Sequence, residues 1–538
     1  MKRNITTLIF ILSVTFLYAF PGKVQKSFDT PGQFATGMSF DGKKLWIADR
    51  KTDKLYCIDP TNGRVERTIP APAYWPMGLA FDGKYLWNAD VKGGIPLAEN
   101  YNGVIYKINP KDGTILHRLP SPTPVPRGLT WDGKYLWVLD DSKNKLIQFD
   151  SEDGTTIKEF DSPAGMPSGL TFDGKYLWVA DRGANEIYMV DPTNGKVLMI
   201  LDAPGGYAFG LAYDGDFLWN VDRNKNKIFQ LIIHDDDFFV KKNPRESIVT
   251  YVHLTTNFGP GNIKTADIYL SIPENRVNQK ILKKITYSET PEILTDKWGQ
   301  KVARFHKNNI SQGQQYEVAE TINVETFDVR YFIFPDKVGT LSDIPQEVKK
   351  FLANDVKYEY DNVVIKNAVK EAVGDEKNAY WIARKIYDYL MPRMYYEMTG
   401  GWNTAPTVLS RGNGSCSEYS FVYIAMCRAA GLPARYVGSI AWRGEKKAMD
   451  DVFHRWVEVY LPNYGWIPVD PSGGDQKYPA AQARYFGHLS NHFLITTQSG
   501  GGSEYMEWTY NSNENYTSEP KTYIVHEYFA DWHALEPK

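Results

Sequence analysis

Cysteine is scarce: Cys57, Cys416 and Cys427 are the three in 538 residues. So small and odd a number builds no disulfide framework and leaves at least one thiol free. Neither sign of charge is in excess, with 61 Lys+Arg against 64 Asp+Glu and a formal net charge of −3. The basic field on which nucleic-acid binding depends is therefore absent, and no nucleic-acid partner is expected. Long apolar runs are missing too, apart from the stretch from Ile5 to Phe20 that follows Lys2 and Arg3. A charged start before an apolar run too short for an ordinary spanning helix has the order of a secretory signal. Residues 1–20 are read as a signal peptide cut near Ala19 or as an uncleaved anchor, the one tie to a membrane that the sequence offers. On either reading the remainder is exported, to the periplasm, the extracellular space or the cell surface.

Aromatics, by contrast, reach 14%, with 15 Trp, alongside 43 Gly. Short aromatic strands separated by glycine turns produce that combination. FDGKKLWIAD from Phe40, FDGKYLWNAD from Phe81, WDGKYLWVLD from Trp131, FDGKYLWVAD from Phe172 and YDGDFLWNVD from Tyr213 are one motif. Trp46, Trp87, Trp137, Trp178 and Trp219 recur every 41 residues, save for one nine-residue insertion before Trp137. Each Asp-Gly pair between alternating apolar runs marks a hairpin. A second hairpin follows, as in KLYCIDPTNGRVERTI and EIYMVDPTNGKVLMIL. Four strands at this period make a propeller blade. The fifth unit lacks its fourth strand, and GKVQKSFDTPG from Gly22 matches GKVLMILDAPG from Gly195. The N-terminus is thus expected to donate the missing strand and close a five-bladed β-propeller over residues 21–233. The array resembles NHL- and YVTN-type propellers, a likeness of fold that implies no activity.

Phe34, Trp75, Val125, Met166 and Tyr207 each stand three residues before the glycine that opens an innermost strand. A closed ring brings them to one face, either as packing between blades or as a collar for a cell-envelope ligand, protein or glycan. The aspartates at 49, 90, 140, 181 and 222 are read as hydrogen-bonders at strand ends. From 235 to 335 the period gives way to alternating runs such as SIVTYVHL and TADIYLSI, which predict an antiparallel β-sandwich acting as a spacer.

Residues 341–538 bring helical periodicity, in IPQEVKKFL and in AYWIARKIYDYL, and then chemistry. In GNGSCSEYSFVYIAMCRAAGLP, Ser415 is an N-cap and Cys416 the first turn of a helix ended by Gly431 and Pro433. A helix N-terminus favours thiolate. Cys427, eleven residues on, lies about 16 Å along the same helix, past the ~7 Å reach of a disulfide, and reads as a buried hydrophobe. DVFHRWVEVYLP and YGWIPVDPS form a hairpin that sets His454 and Asp470 opposite each other. A thiolate, an imidazole and a carboxylate are the parts of a Cys-His-Asp triad, with Nδ1 expected on the carboxylate and Nε2 toward sulfur.

GNGSCSEYS with AMCRAAGLPARYV, HRWVEVYL and GWIPVDPS, in this order between about Asp343 and Leu494, resemble the transglutaminase-like superfamily, a papain-related α+β fold. The resemblance implies Cys416 as nucleophile, His454 as general base and acid, and Asp470 as its orienter. It also implies an oxyanion hole made of the Cys416 N–H and an upstream donor, for which Trp402 and Asn403 are the nearest candidates. His488 and His492 lie four apart, as on one helix face, but no carboxylate or thiol stands at ligand spacing. They are read as a surface pair, and no metal or cofactor is expected. The implied function is acyl transfer or hydrolysis at amide bonds of a protein or peptide substrate through a thioester, by an acyltransferase or a cysteine peptidase or amidase. The competing reading is a non-catalytic surface protein whose propeller recognises a protein or glycan.

Overall fold

The computed structural model describes residues 20–91, 103–398 and 401–535. The repeats form five antiparallel four-stranded sheets. The Asp of each Asp-Gly turn has two tasks. One carboxylate oxygen of Asp41 accepts the N–H groups of Lys43 and Lys44, and the other accepts the Trp46 indole N–H at 2.8 Å. Asp82, Asp132, Asp173 and Asp214 hold Trp87, Trp137, Trp178 and Trp219 in the same way. These tryptophans are buried, and a buried N–H left unpaired is costly, so the motif keeps an acid five residues before each ring.

The ring closes as its sequence predicts. Val24–Asp29 pairs with Lys227–Ile232, Ser27 opposite Phe229 and Asp29 opposite Lys227. Around the axis, a Cβ on Gly37 would lie 1.9 Å from the Met77 carbonyl oxygen, and one on Gly210 would lie 2.8 Å from the Gly37 carbonyl carbon. Only glycine permits the innermost strands to approach so closely, and the Gly210–Gly37 contact is the seam between fifth and first blades. The strand-end aspartates serve backbone: Asp49, Asp90 and Asp222 accept the N–H groups of Phe34, Trp75 and Tyr207, while Asp140 and Asp181 accept those of Ser142 and Gly165.

The next unit is built on one 21-residue strand, Phe239–Gly259, flanked by Gln315–Tyr331 and Tyr523–Ala534. A second sheet orders Glu292–Thr295, Lys301–Ile310, Ile263–Ser271 and Ser512–Ser518. Val249, Tyr251, Ile268, Phe305, Val318 and Trp532 from both sheets share one core. The sequence reading confined the sandwich to 235–335 and gave everything from 341 onward to the last domain. In the structure Lys447–Asp450, Ser512–Ser518 and Tyr523–Ala534 extend the sandwich sheets instead. Ser512–Ser518 and Tyr523–Ala534 take their layers by pairing with strands some 250 residues earlier, and Lys447–Asp450 takes its own by pairing with Tyr523–Ala534.

Helices α1 (Val363–Val373), α2 (Ala379–Leu390), α3 (Ala405–Arg411) and α4 (Cys416–Ala429) accompany a sheet ordered Gly465–Val469, His454–Leu461, Ala434–Ala441, Phe493–Ser499. His488 and His492 do not share a helix: His488–Leu489 is a short strand on Gln315–Tyr331, and His492 immediately precedes the strand Phe493–Ser499. One apolar core runs from Trp178, Met199 and Phe229 of the propeller through Tyr331 to Tyr380 and Phe486. At its edge the buried Glu186 meets both Arg330 and Arg484. The propeller is thus packed against its neighbours, and the sandwich is more than a spacer. Among the described residues no helix is long and apolar enough to cross a membrane; the N-terminal apolar run read as signal or anchor lies outside them except for Phe20.

Deleting residues 22–30 removes a paired strand and reopens a sheet edge. We expect thermal unfolding of the full chain to begin at a clearly lower temperature, with the propeller melting first. An unchanged unfolding profile would contradict the closure.

Candidate functional site

α4 begins where its sequence changes character. Gly412 is left-handed at φ 78° and ends α3, Ser415 is the N-cap, and Cys416 opens the next helix with its thiol nearly buried. The loop before it is fixed by Glu418, a buried carboxylate that accepts the Ser415 N–H, the Asn403 N–H at 2.9 Å, the Asn403 side-chain amide and the Arg411 guanidinium at 2.6 Å. Ser-x-x-Glu is the sequence signature of this arrangement.

α4 lies along the His454–Leu461 strand. Val457 pairs with Val469, which puts Asp470 beside Trp456, a diagonal neighbour of His454 rather than directly opposite it. His454 Nε2 and Asp470 Oδ2 are 2.7 Å apart. The nitrogen assignment is therefore the reverse of the one expected: Nε2 holds the carboxylate, and Nδ1 remains for the sulfur. Asp470 Oδ1 is itself held by the Ser472 N–H and hydroxyl and the Gly473 N–H.

The three groups set one another's charge. Burial pushes the Cys416 thiol up, but the hydrogen bond and charge of His454, with a backbone hydrogen bond from Arg455, bring it below its ordinary value. Burial also opposes charge on His454, yet Asp470 and then Cys416 hold its proton, and it is pushed up to about 10. Asp470, opposed by burial in turn, is pulled below the usual carboxylate range by His454. The other thiols go the other way, burial taking Cys57 up to about 11 and Cys427 higher still.

Two clefts meet here. One of about 910 Å³ is lined by His454, Asp470, Arg443 and Tyr485 and reaches Lys242 and Arg330 of the sandwich and Asp202 of the propeller. The other, of about 380 Å³, is lined by Cys416, Trp402, Tyr510, Tyr251 and Glu514. Tyr396, Met398, Val452 and Phe453 border both. Of the upstream donors proposed from sequence, Trp402 lies beside Cys416, whereas both nitrogens of Asn403 are engaged by Glu418. Sequence reasoning missed Tyr396, whose hydroxyl takes a backbone hydrogen bond from Cys416 and whose strand pairs with Gly414. It also missed Arg455, buried among Trp402, Phe421, Tyr436 and Tyr510 and donating to the Trp508 carbonyl.

At the propeller mouth the five collar positions diverge. Val125 is buried in the core, Met166 is exposed, and Phe34, Trp75 and Tyr207 are half-buried. These aromatics carry arginines. Arg50 lies 3.4 Å from the Trp75 ring centre, and Arg223 lies 3.7 Å from that of Phe34 and 4.6 Å from that of Phe209. Arg182 and Arg127 converge on Asp141. Four guanidinium groups thus gather at the mouth, two of them bound to Asp141 and two set on aromatic rings. Burial, with repulsion from its neighbours, lowers both Arg50 and Arg223. Arg50, Arg182 and Arg223 each directly follow a strand-end aspartate, a signal present in the repeat but not used.

Residues 366–471 match the family model of the transglutaminase-like superfamily, a span that contains Cys416, His454 and Asp470. The chain therefore carries a transglutaminase-like domain. It is similar to the uncharacterized protein YebA of Bacillus subtilis (strain 168), 27% identical over 165 residues, which are 28% of this chain and only a fifth of that relative. Among solved structures it is similar to a putative cysteine protease from Cytophaga hutchinsonii, at 16% identity and a TM-score of 0.40 over 56% of this chain and 94% of that one. A virginiamycin B lyase from Staphylococcus aureus overlaps 38% of this chain and 68% of its own, at 23% identity and a TM-score of 0.25.

Leaving a buried hydrogen-bond donor without its acceptor typically costs about 1–3 kcal/mol. Glu418→Ala is expected to lose stability of that order in urea denaturation and to slow alkylation of Cys416 by iodoacetamide, because the loop that sets the thiol is released. Wild-type stability in this variant would show that Glu418 does not anchor the site.

Proposed function

We propose that the chain is an exported acyl-transfer enzyme in which Cys416, His454 and Asp470 break amide bonds of a protein or peptide through a thioester. The observation that carries this reading is the buried line from Cys416 through His454 to Asp470 where two clefts meet. The thiolate attacks the carbonyl carbon, and the oxyanion takes the Cys416 N–H in place of the Tyr396 hydroxyl, with Trp402 alongside. His454 gives its proton to the departing amine, which leaves an acyl-Cys416 thioester. Water or a lysine amine then loses a proton to His454 and attacks the thioester, returning the thiolate. Water gives a peptidase or amidase, and lysine gives a crosslinker.

In this reading the propeller is a binding module. Its ring of arginines on aromatic faces suits an anionic group of a cell-envelope ligand better than a neutral glycan. A purely binding role for the whole chain is the alternative, and acyl capture separates the two.

An activated ester should leave one acyl group on Cys416, seen by mass spectrometry, and none on Cys416→Ala; His454→Ala should react roughly a hundredfold or more slowly. Turnover should fall on the alkaline side near pH 10, where His454 loses its proton. Asp470→Asn removes the charge that raises His454, so this limb should move to lower pH. The triple variant Arg223→Ala, Trp75→Ala and Tyr207→Ala should keep ester turnover while weakening binding to immobilised poly-glutamate. Absence of acyl-Cys416 in the wild type would leave the binding protein as the surviving account.

A further inference from the structure

The sandwich core has a polar end. Strand alternation puts Val249, Tyr251, His253 and Thr255 on the inner face of Phe239–Gly259, and Ala530, Tyr528 and His526 on the inner face of Tyr523–Ala534. His253 pairs with Tyr528 and Thr255 with His526, so the two imidazoles are diagonal neighbours. From the facing sheet, Glu514 comes in beside Ile268, a core residue.

Ligand atoms of His253, His526 and Glu514 all lie within 4.8 Å of one another. The two carboxylate oxygens stand 3.9 Å from the two Nε2 atoms, too far for a hydrogen bond to either. His253 is fully buried, and neither of its ring nitrogens has a hydrogen-bond partner. His526 Nε2 has none either, while its Nδ1 meets the Thr255 hydroxyl at 3.0 Å. That contact fixes the His526 ring and turns Nε2 toward Glu514. Buried polar atoms are ordinarily paired, so two orphaned Nε2 atoms flanking one carboxylate call for a common partner.

We propose that His253, His526 and Glu514 bind a divalent transition-metal ion, Zn²⁺ by their donor set. Two imidazoles and a carboxylate are the ligands of three-residue zinc sites, which leave a further position open. Metal–ligand bonds of about 2.0–2.2 Å need each ligand atom to move inward by less than about one ångström. The Thr255 hydroxyl on Nδ1 is the outer partner that orients a metal-binding histidine. The ion would staple both C-terminal strands to the central strand of the sandwich. Glu514 and Tyr528 also line the Cys416 cleft, so the site is reached from there. Its ligands come from three strands, one of them far in sequence from the other two, which is why the expectation of no metal, argued from the spacing of His488 and His492, did not find it.

The test uses the full chain in a Cys416→Ala background, because a thiol beside an imidazole is itself able to take up zinc. Titration with ZnCl₂ alone, followed by calorimetry and metal analysis, is expected to give one ion per chain with sub-micromolar affinity and a raised unfolding temperature. Co²⁺ should give visible d–d bands with no sulfur charge-transfer band. Glu514→Gln, which keeps the side chain's shape, and His526→Ala should each weaken binding roughly a hundredfold or more with unchanged circular dichroism. The exposed His306→Ala should bind as the parent does. Saturation only at about 0.1 mM or above in the parent, or unaltered binding in Glu514→Gln and His526→Ala, overturns the proposal.

Discussion

The site depends on one charge, the Asp470 carboxylate against the His454 ring. Burial opposes ionisation of Cys416, His454 and Asp470 alike, and in each the charge of its neighbour works against that opposition. Two N–H groups and the Ser472 hydroxyl on the far oxygen of Asp470 keep that carboxylate ionised and aimed. With it, the imidazole holds its proton more tightly and the thiol gives up its own more readily. Without it, burial would return both to their neutral forms. A desolvated line of this kind is strong because the medium around it is poor, and for the same reason it tolerates no missing member.

The rest of the fold holds this line and shapes what reaches it. α4 delivers the thiol at its N-terminus, Glu418 fixes the loop ahead of it, and the sheet carries the imidazole and carboxylate. The sandwich wraps the transglutaminase-like domain, since the chain returns after that domain's last strand to add Ser512–Ser518 and Tyr523–Ala534 to sheets begun near residue 239. The propeller contributes Asp202 to the cleft wall and Glu186 to a junction with Arg330 and Arg484. Propeller, sandwich and transglutaminase-like domain therefore share packed surfaces.

Much of this was legible in the sequence because it is local or periodic. The 41-residue repeat, the strand shared across the ring seam and the Ser415 cap each appear within a short window. What escaped is set by contacts between distant segments. Which nitrogen of His454 meets Asp470 depends on the diagonal offset of two strands, not on their order. Tyr396 and Arg455 gain their places from a two-residue parallel bridge and from an aromatic cage, neither of which leaves a periodic trace. Asn403 looked like a free donor until Glu418 took both its nitrogens. The arginines at the channel mouth were visible in the repeat, but their convergence follows only from closure of the ring.

The central claim is that Cys416 rests as a thiolate beside protonated His454. Thiolate ultraviolet absorbance followed against pH measures this directly, because Cys57 and Cys427 are both pushed upward and stay silent near neutrality. The account predicts the absorbance of one thiolate already present at pH 7, lost on acidification well below the ordinary cysteine range of about 8.5 and absent in Cys416→Ala. A wild-type protein whose first thiolate appears only above pH 8, with the same curve in Cys416→Ala, would contradict it.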